Sequence, residues 1–129
     1  MNKLDKESVI GISALLVHAA NIDEIYSDHE KDLVKDFIKS YLKNDDASEI
    51  LKKAEEIENN SNQLLNYTNI IKENSLEIKK DIIEHLWKVI ISDNTVDQYE
   101  SNLMRRICGL IYFPDKECAE IKLKLINKK

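Results

Sequence analysis

Two short acidic segments contain the residues that could bind a metal. Asp93 lies 70 positions after Asp23, and Glu100 lies 70 positions after Glu30, so each segment has two acids seven positions apart. A hard cation such as Ca²⁺ takes about six to eight oxygen ligands in proteins. The second segment adds a third carboxylate, an amide and a hydroxyl to this set. The candidate metal ligands are therefore Asp23, Glu30, Asp93, Asp97 and Glu100.

The same acids also have a structural interpretation, which the residues alone leave open. Ser27 with Glu30, and Asp97 with Glu100, match the capping box at a helix start, worth about 1 kcal/mol. Asp93 could close an Asx-turn over its own backbone. The spacing also differs from that of an EF-hand, whose ligands are spread over about twelve positions. Helix capping and Ca²⁺ or Mg²⁺ binding therefore remain two interpretations of one pattern.

Other site chemistries have weaker support in the sequence. The three histidines and two cysteines, His18, His29, His85, Cys108 and Cys118, do not stand at the usual spacings of zinc ligands. The cysteines are too few for a disulfide framework, and we expect two reduced, partly buried thiols. No Gly-rich phosphate loop, nucleophile motif or cofactor fingerprint is present, so we expect no enzymatic activity and no organic cofactor.

The elements that would position the acids form a duplicated helix, acidic turn and helix. The 70-residue offset also places Leu103 on Leu33 and Ile107 on Phe37. Apolar periodicity predicts seven helices, with Trp87 as the largest core anchor. Their predicted positions are about 5–20, from 28 up to 44, about 47–58, from 63 to 72, 76–91, from 98 to 111, and from 114 onward.

Composition supports a single all-α domain over residues 1–129. A chain of 129 residues with 43% hydrophobic residues is long enough for one cooperative core. It contains only two glycines and one proline, too few for the frequent turns of a sandwich or barrel. The predicted architecture is a compact helical bundle.

Charge and hydropathy restrict the partners and the location. The formal charge is −5 with mixed signs along the surface helices, so a nucleic-acid partner is not expected. The longest apolar segment, residues 9–17, is too short to span a membrane, and no signal-peptide pattern precedes it. We expect a cytoplasmic protein.

The sequence LWKVIISDNTVDQYESNLMRRICGLIYFPDKE resembles the TerB-like family, which is named for a tellurite-resistance protein. The similarity is close over residues 80–117 and looser over residues 14–38. It implies a compact helical domain, usually bacterial and cytoplasmic, associated with stress response and with divalent-metal binding through acids at the helix turns. Carried over by position, those acids are Asp23, Glu30, Asp93, Asp97 and Glu100. Where the family has Gly, this chain has Glu24 and Asn94.

Two function classes follow. The first is a non-enzymatic stress-response protein that binds Ca²⁺ or Mg²⁺ between its acidic turns. The alternative is a helical protein-interaction module without a metal function, for which a homodimer is one form. Its predicted surface is either the thin apolar faces of the third and fourth helices or the tyrosines Tyr41, Tyr67 and Tyr112, which we expect to be exposed.

Overall fold

A computed structural model describes residues 5–21, 28–43, 46–60, 64–91 and 98–127, with the backbone alone at 64–66, 98–101 and 127. Seven α-helices and no strand lie within these ranges, which confirms the predicted all-α fold. The helices are α1 Lys6–Ala20, α2 Asp28–Tyr41, α3 Ala47–Asn60, α4 Leu64–Lys72, α5 Leu76–Ile91, α6 Gln98–Leu110 and α7 Asp115–Asn127. None of them has the length and apolar character that crossing a bilayer requires.

The helix α1 is the centre of the bundle because it is apolar around most of its circumference. It packs against α2, α3, α4 and α5. Ten of its fifteen residues are buried. Gly11 lets α4 come close, since an added Cβ would lie 2.5 Å from Ile70 Cδ1. One hydrophobic core contains buried side chains from all seven helices.

The structure follows the duplicated pattern of the sequence. The helices α2 and α6 start at residues 28 and 98, 70 positions apart as predicted. Their aligned residues Phe37 and Ile107 are both fully buried, as are Val34 and Met104. In each half a further helix packs on the pair, α3 on α1 and α2, and α7 on α5 and α6. The helix α4 contacts α1 in the first half and α5 and α6 in the second.

The structure confirms the predicted burial of Trp87 but not that of two other apolar residues. Trp87 is buried as predicted, with 3% of its surface exposed. Apolar periodicity predicts that Leu76 and Ile126 also face the core, but they are 54% and 38% exposed, so this prediction is wrong. Leu76 lies two residues, or about 200° of helix rotation, before Ile78, which takes the inward position. Ile126 lies in the last turn of α7, about 100° from the half-buried Leu125.

The turn between α6 and α7 reverses the chain with a left-handed residue. Tyr112 has φ of 59°, and the N–H of Phe113 donates to the carbonyl oxygen of Cys108 at 2.8 Å. This bond and the left-handed residue form the Schellman arrangement, in which glycine is the usual residue. Pro114 then precedes the first turn of α7. This reversal packs α7 beside α6.

Candidate functional site

The five predicted metal ligands fall mostly outside the described residues. This is the case for Asp23, Asp93 and Asp97, and for the side chain of Glu100, whose backbone belongs to α6. Glu30 is described: it lies in the first turn of α2 and is 7% exposed. A buried carboxylate needs hydrogen-bond donors or a cation, and the free N–H groups of a first helical turn are such donors. The ligand set stays a prediction.

The packing of α2 on α5 determines where Glu30 lies relative to the second acidic segment. The rings of Phe37 and His85 are 5.2 Å apart, and the Tyr41 hydroxyl donates to Asp81 at 2.6 Å. Four residues forward on α2 thus correspond to four residues backward on α5, so the two helices run antiparallel. Continued at the same rise per residue, this register sets the first turn of α2 level with Ile91, the last residue of α5. The second acidic segment follows Ile91 directly in the chain.

Glu58 fixes the end of α1, where the first acidic segment begins. Its side chain is buried in the last turn of α3 and accepts a hydrogen bond from Asn21 Nδ2 at 3.2 Å. His18 Nδ1 lies 3.3 Å from the other carboxylate oxygen. These contacts hold the last turn of α1 and its C-cap against α3. The backbone therefore enters the first acidic segment from a fixed position.

Asp81 is the polar centre of the α2 and α5 interface. Its Oδ2 accepts the Tyr41 hydrogen bond, and its Oδ1 lies 3.7 Å from His85 Nε2. Burial raises the pKa of Tyr41, and the hydrogen bond to Asp81 raises it further. Burial lowers the pKa of His85, against the opposing effect of the Asp81 charge. His85 therefore tends to be neutral in the folded protein.

The three histidines and two cysteines do not come together as ligands of one zinc ion. His18 faces Glu58, His85 faces Asp81, and His29 is exposed in the first turn of α2. Cys108 and Cys118 contact each other rather than a histidine. Within the described ranges, no three His, Cys, Asp or Glu side chains are placed to bind one metal ion.

A pair of thiols forms a second polar cluster, at the interface of α5, α6 and α7. Cys108 and Cys118 are free and buried, and their side chains hydrogen-bond each other. Trp87 Nε1 donates to Cys118 Sγ at 3.3 Å, and the Lys122 ammonium lies 5.4 Å from the centre of the Trp87 ring. The Cys108 hydrogen bond is the main reason that the pKa of Cys118 falls to about 7. The same bond, with burial, raises the pKa of Cys108, which remains the protonated donor.

A surface pocket of about 500 Å³ opens beside this pair. Cys118 and Trp87 form part of its wall, Arg105 and Lys122 contribute positive charge, and Asp115 contributes a negative charge. Cys108 is fully buried and does not line it. The two thiols therefore differ in access as well as in acidity.

Comparison with known proteins identifies the family. The family model of tellurite resistance protein TerB matches residues 10–123. The chain belongs to the TerB family. Neither the curated proteins nor the solved structures contain a match to it. The match covers both halves of this TerB-family chain, including the region where the resemblance was looser.

Sequence reasoning missed three polar contacts of this TerB-family fold: those of Glu58, those of Asp81 and the contact between the two cysteines. Glu58 continues the apolar row of Ile50 and Ala54 at spacing four, and a carboxylate in such a row is a signal of a buried polar contact. Asp81 carries no such signal because its partner Tyr41 lies 40 residues away. The two cysteines were expected to be partly buried, but both are buried and paired with each other.

Proposed function

We propose that this TerB-family domain is a non-enzymatic stress-response protein that binds a divalent cation, Ca²⁺ or Mg²⁺, where its two acidic segments meet. The proposal rests on the antiparallel register of α2 on α5. That register sets Glu30 level with the end of α5, from which the second acidic segment continues. The ligands would come from Asp23, Glu30, Asp93, Asp97 and Glu100.

Electrostatics supports a cation at this end of the bundle. If the two acidic segments lie next to each other, their carboxylates repel, and a divalent ion would remove that repulsion. Glu58 adds no ligand, but it fixes the end of α1 from which the first acidic segment starts. Oxygen-only ligands favour Ca²⁺ or Mg²⁺ over softer metals.

A thermal melt with Ca²⁺ or with a chelator tests the proposal. At a cation concentration about tenfold above Kd, binding stabilises the native state by about 1.4 kcal/mol. For a domain of this size we expect Tm to rise by about 5 °C. Amide NMR signals of Asp23, Asp93 and Glu100 should shift in the same titration with Ca²⁺ or Mg²⁺. If these amide signals do not shift at millimolar concentrations of either ion, the proposal is contradicted.

Charge-removing variants locate the site. We expect Glu100→Gln and Asp93→Asn each to abolish most of the Ca²⁺-induced rise in Tm. Glu49→Gln is the matched control, because Glu49 is an exposed acid in the first turn of α3. The readout is the difference between melts with and without metal, so a change in basal stability does not affect it. Equal loss in the control would indicate nonspecific screening instead of a site.

The second candidate function is a helical interaction module, which exposed apolar side chains favour. Tyr112 is 71% exposed, Leu123 is 57% exposed and Leu76 is 54% exposed. The predicted anchors are only partly correct. Tyr112 is exposed, but Tyr67 is buried and Tyr41 is half-buried with its hydroxyl bonded to Asp81. Both lie on helix faces that pack on neighbouring helices.

Solution mass measured over a range of protein concentrations tests self-association. A rise in mass that Tyr112→Ser and Leu123→Ser abolish would support a homodimer. A constant monomer mass would exclude that form of the second candidate. The metal proposal does not depend on the result.

A further inference from the structure

We propose that Cys118 is a hydroperoxide-sensitive thiol that, once oxidised, forms an intramolecular disulfide with Cys108. The proposal does not depend on metal binding. Cys118 belongs to α7 and Cys108 to α6, on the two sides of the turn at Tyr112. The bond would replace the hydrogen bond between the two thiols with a covalent link between the two helices.

The contacts around Cys118 stabilise its thiolate. Cys108 donates a hydrogen bond from its own thiol, and Trp87 donates from its indole N–H at 3.3 Å. Lys122 lies near enough for its charge to act on the sulfur as well as on the Trp87 ring. Asp115 acts in the opposite direction, with a larger effect on the pKa of Cys118 than Lys122 has, and burial also raises that pKa. The two hydrogen-bond donors, Cys108 and Trp87, are therefore the main groups that stabilise the Cys118 thiolate.

The acidity of Cys118 affects the rate at which it reacts with a hydroperoxide at neutral pH. A thiol with a lowered pKa is ionised to a larger extent at neutral pH than an ordinary cysteine. Intrinsic nucleophilicity falls as the thiol pKa falls, and this offsets part of the gain in rate. Cys118 should therefore react before Cys108, which keeps its proton.

The pocket determines which reagent can reach the sulfur. Cys118 is 6% exposed and lines the pocket of about 500 Å³, whereas Cys108 is 0% exposed and does not. Small hydroperoxides fit a space of this size. Arg105 and Lys122 in its wall can stabilise the negative charge on the departing oxygen.

The reaction balances with one hydroperoxide as the oxidant. The Cys118 thiolate attacks the outer peroxide oxygen, the O–O bond breaks, and the alkoxide leaves and takes a proton to become an alcohol. The resulting sulfenic acid is attacked by the Cys108 sulfur, which loses its proton. The S–S bond forms, the S–O bond breaks, and hydroxide leaves with that proton as water. Two thiols are oxidised by two electrons, and the peroxide is reduced.

Disulfide formation changes the environment of Trp87. An S–S bond is about 2.0 Å long, so the sulfurs must move together from hydrogen-bonding contact. The indole N–H then loses its thiolate acceptor, because the disulfide sulfur carries no charge. Trp87 is the only tryptophan in the chain, so its fluorescence reports the event directly.

The first experiment uses the unmodified protein and hydrogen peroxide. Native protein is treated, quenched and mapped by mass spectrometry without reduction. We expect a Cys108 to Cys118 crosslinked peptide, a mass loss of two hydrogen atoms, and a simultaneous change in Trp87 fluorescence that a reductant reverses. Two free thiols in the treated native protein, under conditions that oxidise the denatured chain, would overturn the proposal.

Variants separate the roles of the two thiols. In Cys108→Ser, a dimedone adduct should accumulate on Cys118, whereas Cys118→Ser should give little adduct on Cys108. The reverse pattern would overturn the assignment. If either serine variant fails to fold, the pH dependence of native iodoacetamide labelling in the unmodified protein replaces it. Labelling of Cys118 should reach half its maximum below the pH of about 8.5 that is expected for an ordinary cysteine.

A charge variant with a matched control tests the thiolate environment. Lys122→Met should shift the midpoint of Cys118 labelling to higher pH. Lys124→Met removes the same charge from an exposed position of the same helix and should leave the midpoint unchanged. Equal midpoints in both variants would contradict the proposed role of Lys122.

Discussion

Val17 and Trp87 occupy aligned positions in the two halves of the molecule, as do Ile38 and Cys108, and all four are buried. In the first half, these positions are filled by aliphatic groups, and the polar contact is made by Glu58 from α3. In the second half, they place an indole and a thiol beside Cys118 of α7. One duplicated backbone therefore supports the buried carboxylate of Glu58, which contacts α1, in one half. In the other half it supports a cluster of two thiols and an indole. The repeat fixes the helix positions, and the helix that follows each pair supplies the chemistry.

The largest test of this comparison is truncation of its two aligned anchors. Trp87→Ala should reduce the free energy of unfolding by about 4 kcal/mol, because it leaves a large cavity and an unpartnered Cys118. Val17→Ala should cost about 2 kcal/mol, since it removes only two methyl groups. Urea unfolding measures both values. Equal losses would show that the halves do not differ in their dependence on these anchors.

The second prediction concerns the contacts of Glu58 with His18 and Asn21. Glu58→Ala should destabilise the protein by about 2 kcal/mol, because His18 and Asn21 lose their acceptor. Glu56→Ala removes an exposed acid from the same helix and should change the stability by less than about 0.5 kcal/mol. If the two variants unfold at the same urea concentration, Glu58 does not hold α1 and α3 together.

The two halves also differ in the chain directly after their second helix, α2 or α6. We expect this difference to have a smaller effect on the free energy of unfolding. Tyr112 adopts the left-handed conformation after α6, whereas its aligned residue Leu42 has no positive φ after α2. Tyr112→Gly should therefore stabilise the protein by about 1 kcal/mol. Loss of the contact between the Lys72 ammonium and the Tyr112 ring reduces this gain. Leu42→Gly should instead destabilise the protein. If both glycine variants stabilise it, the proposed difference between the two helix ends is contradicted.

The smallest expected effect is a pH dependence from His85 on α5. Its folded-state pKa is lowered by burial, so the unfolded chain binds more protons between the two pKa values. The stability contributed by His85 is complete above the unfolded pKa of about 6.5. It is lost as the pH falls through the lowered folded value. His85→Gln should flatten the loss of urea stability on acidification, and His29→Gln serves as the control for loss of one exposed histidine.

The fold was predictable from sequence because its signals are periodic and repeated. The offset of Asp93 from Asp23 located both helix pairs, and the starts of α2 and α6 keep that offset. Burial at the helix ends was less predictable. Leu76 has the composition of a core residue, but its orientation depends on the helix phase set by Ile78.

The polar contacts were harder to predict than the fold. Glu58 meets His18 across 40 residues of chain, and Cys118 meets Trp87 across 31. Such pairs depend on which helix packs against which, and local spacing does not encode that choice. The acidic segments remain a prediction from spacing and family resemblance, supported by the register of Phe37 on His85.

The helix α4 belongs to neither repeat, yet it packs on α1 and also on α5 and α6. A fragment that stops before α4 would leave the Ile70 face of α1 in water, and one that starts after it would uncover part of α6. Neither duplicated unit should therefore be autonomous. Calorimetry of the intact chain should record one endotherm, with equal van't Hoff and calorimetric enthalpies.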